Sequence, residues 1–407
     1  MEKLKSNKFV IFYLYLSTFT AIFYLSSLHL NLSNSITEWL INYQGGFTRR
    51  GLSGEILFQI SVFFDFELKK TILFVQISTY VFFYYFIYLL IKDLKNFNLI
   101  YLSFFSAIFL FFPIAELEAI GRKEILVSIL MLGLILLKNY SFNFKIYITF
   151  ILSILILLIH EIIVFHILYF LFFLLIINKQ NNNINNLKIF IFLALFLICS
   201  WLLFKNIYTV QMKDEMCSSL LENLNVICGF QTHYVANPLA TYMGEVRFPN
   251  WNAEWTIRHS FIMLFGYGPL IILSFFTTFN KENTNKIIHK IPVPLILTLL
   301  VIPTYLIFYI SVDTGRYHHL SYSMAFIFFY GLMFNNLIIL NHQSLKKFEN
   351  YFFPKSKMLC AIIIFLVCFS WNPKAVYHED LGSFPIYRAI EKFPNYYGNI
   401  FNIKIFR

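Results

Sequence analysis

The sequence predicts an all-α, polytopic integral membrane protein of about eleven transmembrane helices, and three observations predict it. First, the 407 residues are 58% hydrophobic and only 13% charged, where soluble domains carry about 25% charged residues. Second, the apolar residues, 51 phenylalanines among them, fall in long runs rather than in amphipathic stripes. Third, short polar connections rich in Lys and Asn separate the runs. A soluble core could not hide this much apolar surface, so soluble, disordered and disulfide-scaffold classes are excluded.

The elements follow in order. Lys3, Lys5 and Lys8 precede an apolar run from Phe9 to Leu30, with no small-residue cleavage pattern after it. It reads as a retained first helix with a cytoplasmic N-terminus. Further crossings are expected near 71–91, 99–114, 125–137, 146–159, 162–177, 189–204, 259–279, 291–311, 320–340 and 358–371. Ile56–Phe64 is too short to span and reads as an interfacial or re-entrant piece. The run 146–177 would be about 48 Å long as one helix, too long for a hydrocarbon core of about 30 Å. Lys145 and Lys179 flank it, so the positive-inside rule favours a hairpin that turns near His160-Glu161. Residues 1–371 then form one helical membrane domain, with a larger outer loop at 206–257 and a C-terminal tail at 372–407.

With this topology the inner segments carry sixteen Lys and no Arg, while all eight Arg lie on the outer side. The net charge of +11 is explained by these short loops, so nucleic acid is not an expected partner. Arg placed against the positive-inside bias points to sites that need a planar, permanently charged fork for phosphate or carboxylate. Pairing with outer carboxylates for structure alone is the plainer alternative. Cys217 and Cys228 lie in the outer loop and are candidates for a disulfide, with two free thiols as the alternative. Cys199, Cys360 and Cys368 fall within helices and read as packing residues.

Four clusters could carry chemistry. Asn42–Gly54 holds Arg49 and Arg50 among glycines that include Gly46 and Gly51. Glycine lets backbone N–H groups approach an anion while guanidiniums clamp it, but no nucleotide-binding loop pattern is present. Glu116–Glu124 packs Arg122 and Glu124 close to hydrocarbon, which is expensive unless they face a cavity or each other. His160-Glu161 sets a carboxylate beside an imidazole, the usual makings of a general base, without the spacing of a zinc protease. Asp313–His319 gathers Asp313, Arg316 and two imidazoles, but specifies no metal site. All four fall on the outer side, which describes a cavity for an anionic, phosphate-bearing, membrane-embedded substrate.

With GGFTRRG (45–51), GRKE (121–124), HE (160–161) and DTGR (313–316), the chain resembles bacterial O-antigen polymerases. The resemblance covers nearly the whole chain, through helix number, Phe/Ile/Leu/Tyr/Asn-rich composition and one larger loop that it makes periplasmic. It implies a multi-pass inner-membrane enzyme in surface polysaccharide (lipopolysaccharide) synthesis, joining oligosaccharide repeat units carried on undecaprenyl diphosphate, without metal or cofactor. It leaves room for a partner that regulates chain length. Arg49, Arg50, Arg122 and Arg316, with Gly46 and Gly51, would hold the diphosphate, and Glu161, His160, Asp313 or Glu124 would serve catalysis.

Two alternatives remain at this stage. A polyprenyl-phosphate-dependent glycosyltransferase of the GT-C superfamily would place an acid in the first periplasmic loop, where Glu38 or Glu55 could serve. A transporter of lipid-linked glycan would also use Arg in a cavity, but no inverted repeat is evident.

Overall fold

The computed structural model describes residues 8–28, 34–94, 97–116, 119–178, 183–205, 209–229, 259–285, 288–308 and 314–373. The chain is mostly helical. In order, the helices are α1 Lys8–Leu28, α2 Asn34–Thr37, α3 Gly51–Phe64, α4 Leu68–Ile91, α5 Asn98–Phe104, α6 Phe112–Ala115, α7 Ile125–Leu136, α8 Phe142–Ile159 and α9 Ile163–Ile177. They continue with α10 Asn183–Lys205, α11 Val210–Leu224, a π-helical turn Ile262–Tyr267 leading into α12 Gly268–Phe275, and α13 Val293–Phe308. Last come α14 Thr314–Phe334, α15 His342–Phe352 and α16 Lys357–Phe369.

Among the described residues, four helices are long and apolar enough to cross a membrane: Val10–Leu28, α4, α8 and Ile184–Lys205 of α10. A fifth span results if α15 and α16, which meet at 90°, count as one broken crossing. These helices carry large apolar side chains on their outer faces, such as Phe74 of α4 (71% exposed) and Phe190 of α10 (67%). A lipid environment would cover such surface, which water would not tolerate.

At the centre stands α14. From Thr314 to Leu332 nearly every side chain is buried: the first turns bury polar groups, Arg316 and His318 among them, and the rest is almost entirely apolar and aromatic. It packs on α4, α7, α9 and α13. Gly331 gives α7 its closest approach, since a Cβ there would sit 2.3 Å from Ile135. Inside the bundle the Ser103 hydroxyl meets the Tyr330 hydroxyl at 2.7 Å.

The expected hairpin at 146–177 is present as a helix break. α8 ends as His160 takes an extended conformation (φ −161°, ψ 121°), and α9 starts three residues later and packs back on α8. The expected crossing at 99–114 is instead two short helices joined by irregular chain. Pro113 cannot continue a helix from before it. The irregular stretch is tolerable because Ser106–Leu110 is almost fully buried in protein, and the Ser106 hydroxyl bonds to the Gly266 carbonyl at 3.1 Å.

Besides the helices, the described residues hold one small sheet. Thr277–Phe279 (β1) and Ile338–Leu340 (β2), expected as the ends of two crossings, pair as an antiparallel two-stranded sheet with Thr278 opposite Ile339. Thr and Ile suit extended chain, and Asn336, with φ 55°, ends α14 in the left-handed region that Asn accepts. This sheet, the Lys138–Phe334 contact and the Asn335–Ile135 hydrogen bond gather the Lys-rich connections at one end of the bundle. The Arg- and Glu-bearing segments lie at the other.

At that other end, Cys217 of α11 and Cys228 form a disulfide, while Cys199, Cys360 and Cys368 are free. The stapled segment packs on the Gly-rich loop. A Cβ on Gly45 would strike the Met212 carbonyl at 1.7 Å, and the Asn42 N–H points at the Met216 sulfur. The tail from 374 onward and most of the 206–257 loop lie outside the described residues.

Candidate functional site

The site is built on a small backbone frame behind α1. The indole of Trp39 donates to the Gly121 carbonyl at 2.8 Å, and the Gln76 amide donates to the same oxygen at 2.9 Å. Ser35 donates to the Ile120 carbonyl at 2.6 Å, and the Gly121 N–H donates to the Tyr80 hydroxyl at 3.1 Å. Gly121 has φ +76° and lies against Gln76 and Leu25, a conformation and a space that suit only glycine. These bonds lock the segment carrying Glu38 to the segment carrying Arg122, Lys123 and Glu124.

Glu38 is the hub and is almost fully buried. Its Oε1 lies 3.4 Å from Arg50 Nη1 and 3.2 Å from His160 Nε2, and its Oε2 lies 3.6 Å from Arg122 Nη1. Burial alone would disfavour its charge, but His160, Arg122 and Arg50 outweigh that and hold its carboxyl well below the usual range. Glu124 Oε1 lies 3.5 Å from His160 Nε2 and 3.3 Å from Arg316 Nε. Arg50 clamps Glu161 in a bidentate pair, with Nε at 3.0 and 2.9 Å from its two oxygens and Nη2 at 2.6 Å. Burial again works against Glu161, yet Arg50 and His160 keep its carboxyl below the ordinary range.

Residues 38, 50, 122, 124, 160, 161 and 316 therefore form one ion-pair network. Three of the expected Arg are in it, and Arg49 adds its charge beside Glu161. Asp313 lies outside the described residues. Gly46 and Gly51 were expected to bring their backbone against an anion; here the Gly46 N–H donates to the Tyr43 carbonyl at 2.9 Å, and side chains stand where a Cβ on either glycine would lie. A Cβ on Gly46 would sit 2.2 Å from Met212 Cε, and one on Gly51 would sit 2.2 Å from the Tyr43 ring. Glu55, the other acid of the first loop, braces that loop by accepting from the Tyr43 N–H at 2.9 Å and the Gln44 amide at 2.8 Å.

The two imidazoles of the 313–319 segment serve elsewhere. His318 meets His259 at 2.9 Å and His319 lies 3.0 Å from the Ile108 carbonyl.

Two members of the site were underrated by the sequence. Glu38 is the only charged residue between Leu30 and Thr48, and an isolated acid in so apolar a neighbourhood is the signal that marks it. Lys123 is fully buried, donates to the Arg50 carbonyl at 2.8 Å and lies over the Trp39 ring at 5.6 Å. Burial pushes its ammonium down to about 7, against the pull of Glu38. The free amine's value is about 10.4, so between these values the unfolded chain binds a proton that the folded chain lacks, and stability rises with pH. We expect Lys123→Met to reduce that rise by up to about 1.4 kcal/mol per pH unit between about pH 7.5 and 9.5. Denaturant unfolding of the purified protein in detergent measures it. An unchanged pH slope would mean that Lys123 keeps an ordinary ammonium.

Glu38, Glu124 and His160 bring three ligand atoms within 4.8 Å of one another, a spacing at which a metal could be held. The donor set fits one poorly. The Ile162 N–H donates to His160 Nδ1 at 3.2 Å, so the neutral ring carries its proton on Nε2, the atom that would have to bind the metal. Arg50 and Arg316 also stand 3.4 and 3.3 Å from the carboxylate oxygens concerned. What the arrangement offers is a set of guanidiniums around buried carboxylates. One of these, Glu124, has an oxygen (Oε2) with no hydrogen bond and no ion pair among the described residues.

No protein-family model, no curated protein and no solved structure matches the chain.

Proposed function

We propose that the chain is a polymerase that joins oligosaccharide repeat units carried on undecaprenyl diphosphate, acting at the periplasmic face of a bacterial inner membrane. Its finer topology would be about eleven crossings, with the 206–257 loop in the periplasm. The observation that supports it most is the gathering of Arg50, Arg122 and Arg316 around Glu38, Glu124 and His160, from parts of the chain far apart in sequence.

The chemistry follows from those groups. A sugar hydroxyl of the acceptor unit attacks the anomeric carbon of the glycan on its diphosphate carrier. The bond from that carbon to the phosphate oxygen breaks, and its electron pair leaves with the diphosphate. Arg50, Arg122 and Arg316, with Arg49 beside them, stabilise the charge that develops there. The hydroxyl proton goes to a carboxylate. Glu161 is a poor acceptor because Arg50 occupies both its oxygens, whereas Glu124 has one with no partner among the described residues. His160 presents its Nε2 proton between Glu38 and Glu124 and so orients them.

The test is a glycan-ladder assay in cells whose own polymerase is deleted. Arg50→Lys, Arg122→Lys and Arg316→Lys should each lower chain extension by about a hundredfold, because an ammonium cannot replace a bidentate fork. A full-length ladder from all three variants would remove Arg from the mechanism and the reading with it.

The buried Glu38 favours a second reading. An essential acid just after the first helix suits a GT-C-type transferase that adds one sugar from a polyprenyl phosphate. The same assay separates them, since that enzyme yields a single added band.

A further inference from the structure

At the end of the bundle opposite the Arg/Glu site, a cavity of about 1040 Å³ opens between α5, α15 and α16. Its floor is apolar, formed by Tyr101, Phe105, Met358, Ala361, Ile362 and Phe365. Its rim is polar and basic, with Asn98, Asn350, Lys355 and Lys357. The one acid among the described lining residues, Glu349, is already engaged, accepting from the Leu99 N–H at 2.9 Å.

The two helices beside it divide the labour. α15 is amphipathic: Leu345 is buried and Phe348 packs on the core, while Lys346 and Lys347 are exposed. It turns through 90° into α16, which is apolar and exposes Met358, Leu359 and Leu366. α15 thus has the make-up of a helix that lies in a membrane interface, and α16 that of one directed into the hydrocarbon. The cavity sits at their corner, where a bilayer passes from headgroups to chains.

We propose that this corner is a binding site for an anionic phospholipid, with its headgroup phosphate between Lys355 and Lys357 and its chains along the α16 floor. The charge of the rim selects the anionic headgroup, and the apolar depth of the cavity selects a lipid over a free anion. The site is separate from the Arg/Glu network and does not depend on the reaction proposed for it.

The full-length chain, purified in bilayer discs of equimolar phosphatidylglycerol and phosphatidylcholine, tests this by native mass spectrometry of retained lipid. We expect phosphatidylglycerol to be retained roughly twenty-fivefold over phosphatidylcholine, given about one factor of five for each of the two lysines. Lys355→Gln with Lys357→Gln should abolish that preference while lipid is still held. Ala361→Trp, which fills the floor, should reduce retention of both lipids, and an unchanged melting temperature in each variant shows that the fold is intact. Excess inorganic phosphate should leave the bound lipid in place. Retention in the disc ratio by the wild-type chain, a preference that survives loss of both lysines, undiminished retention in Ala361→Trp, or displacement by phosphate would each overturn the proposal.

Discussion

Glu124→Gln is expected to lower glycan extension by about two to four orders of magnitude, the usual contribution of a positioned general base. The substitution keeps size and shape, and an amide oxygen can still face Arg316, whose Nε lies 3.3 Å from Oε1. What it removes is the ability of Oε2, which has no partner among the described residues, to take a proton. Stability should therefore change little while rate collapses. Glu124→Asp keeps the carboxylate but withdraws it by one methylene, so it should retain part of the rate. Initial rates of ladder formation, with the melting temperature as a control, give both readouts. If Glu124→Gln extends chains at the full rate, the proton goes elsewhere, and Asp313 becomes the residue to change next.

The coarse fold and much of the site could be read from the chain because they rest on strong local signals. Long apolar runs between basic connections foretold α1, α4, α8 and α10, and flanking Lys145 and Lys179 foretold the break at His160. Arg50, Arg122 and Arg316 stood out because charge beside hydrocarbon is costly. Pairing was less legible. No spacing in sequence says that Arg50 clamps Glu161, 111 residues away, or that Gln76 and Trp39 share the Gly121 carbonyl. The glycines are ambiguous for a related reason. A Gly-rich loop permits close approach, but sequence cannot tell whether an anion or another piece of protein, here Met212 and Tyr43, does the approaching. The two-stranded sheet was hidden because three-residue strands of Thr, Phe, Ile and Leu look like the ends of apolar helices.

The Arg50–Glu161 pair should show the opposite balance to Glu124, with a large effect on stability. Glu161→Leu leaves a buried guanidinium without its bidentate partner and should destabilise the protein by about 3 kcal/mol. That is the lower end for a broken buried pair, because the Arg50 side chain keeps 24% exposure. Arg50→Met should cost a similar amount by stranding Glu161. The double variant removes both charges and should be more stable than either single variant, since a well-packed apolar pair often replaces an ion pair without loss. It should nonetheless be inactive in the ladder assay. Backbone geometry says why Arg is present here at all. Arg50 sits in the left-handed region at φ 63°, flanked by Gly51 and near Gly45 and Gly46, where glycine would be the least strained choice. Lys123 donates to the Arg50 carbonyl and helps hold that conformation. Backbone strain and a buried lysine that aim one guanidinium support the proposed role of Arg50 at the diphosphate. Recovery of stability without recovery of activity in the double variant would assign Arg50 to the reaction, whereas recovery of both would assign the pair to structure alone.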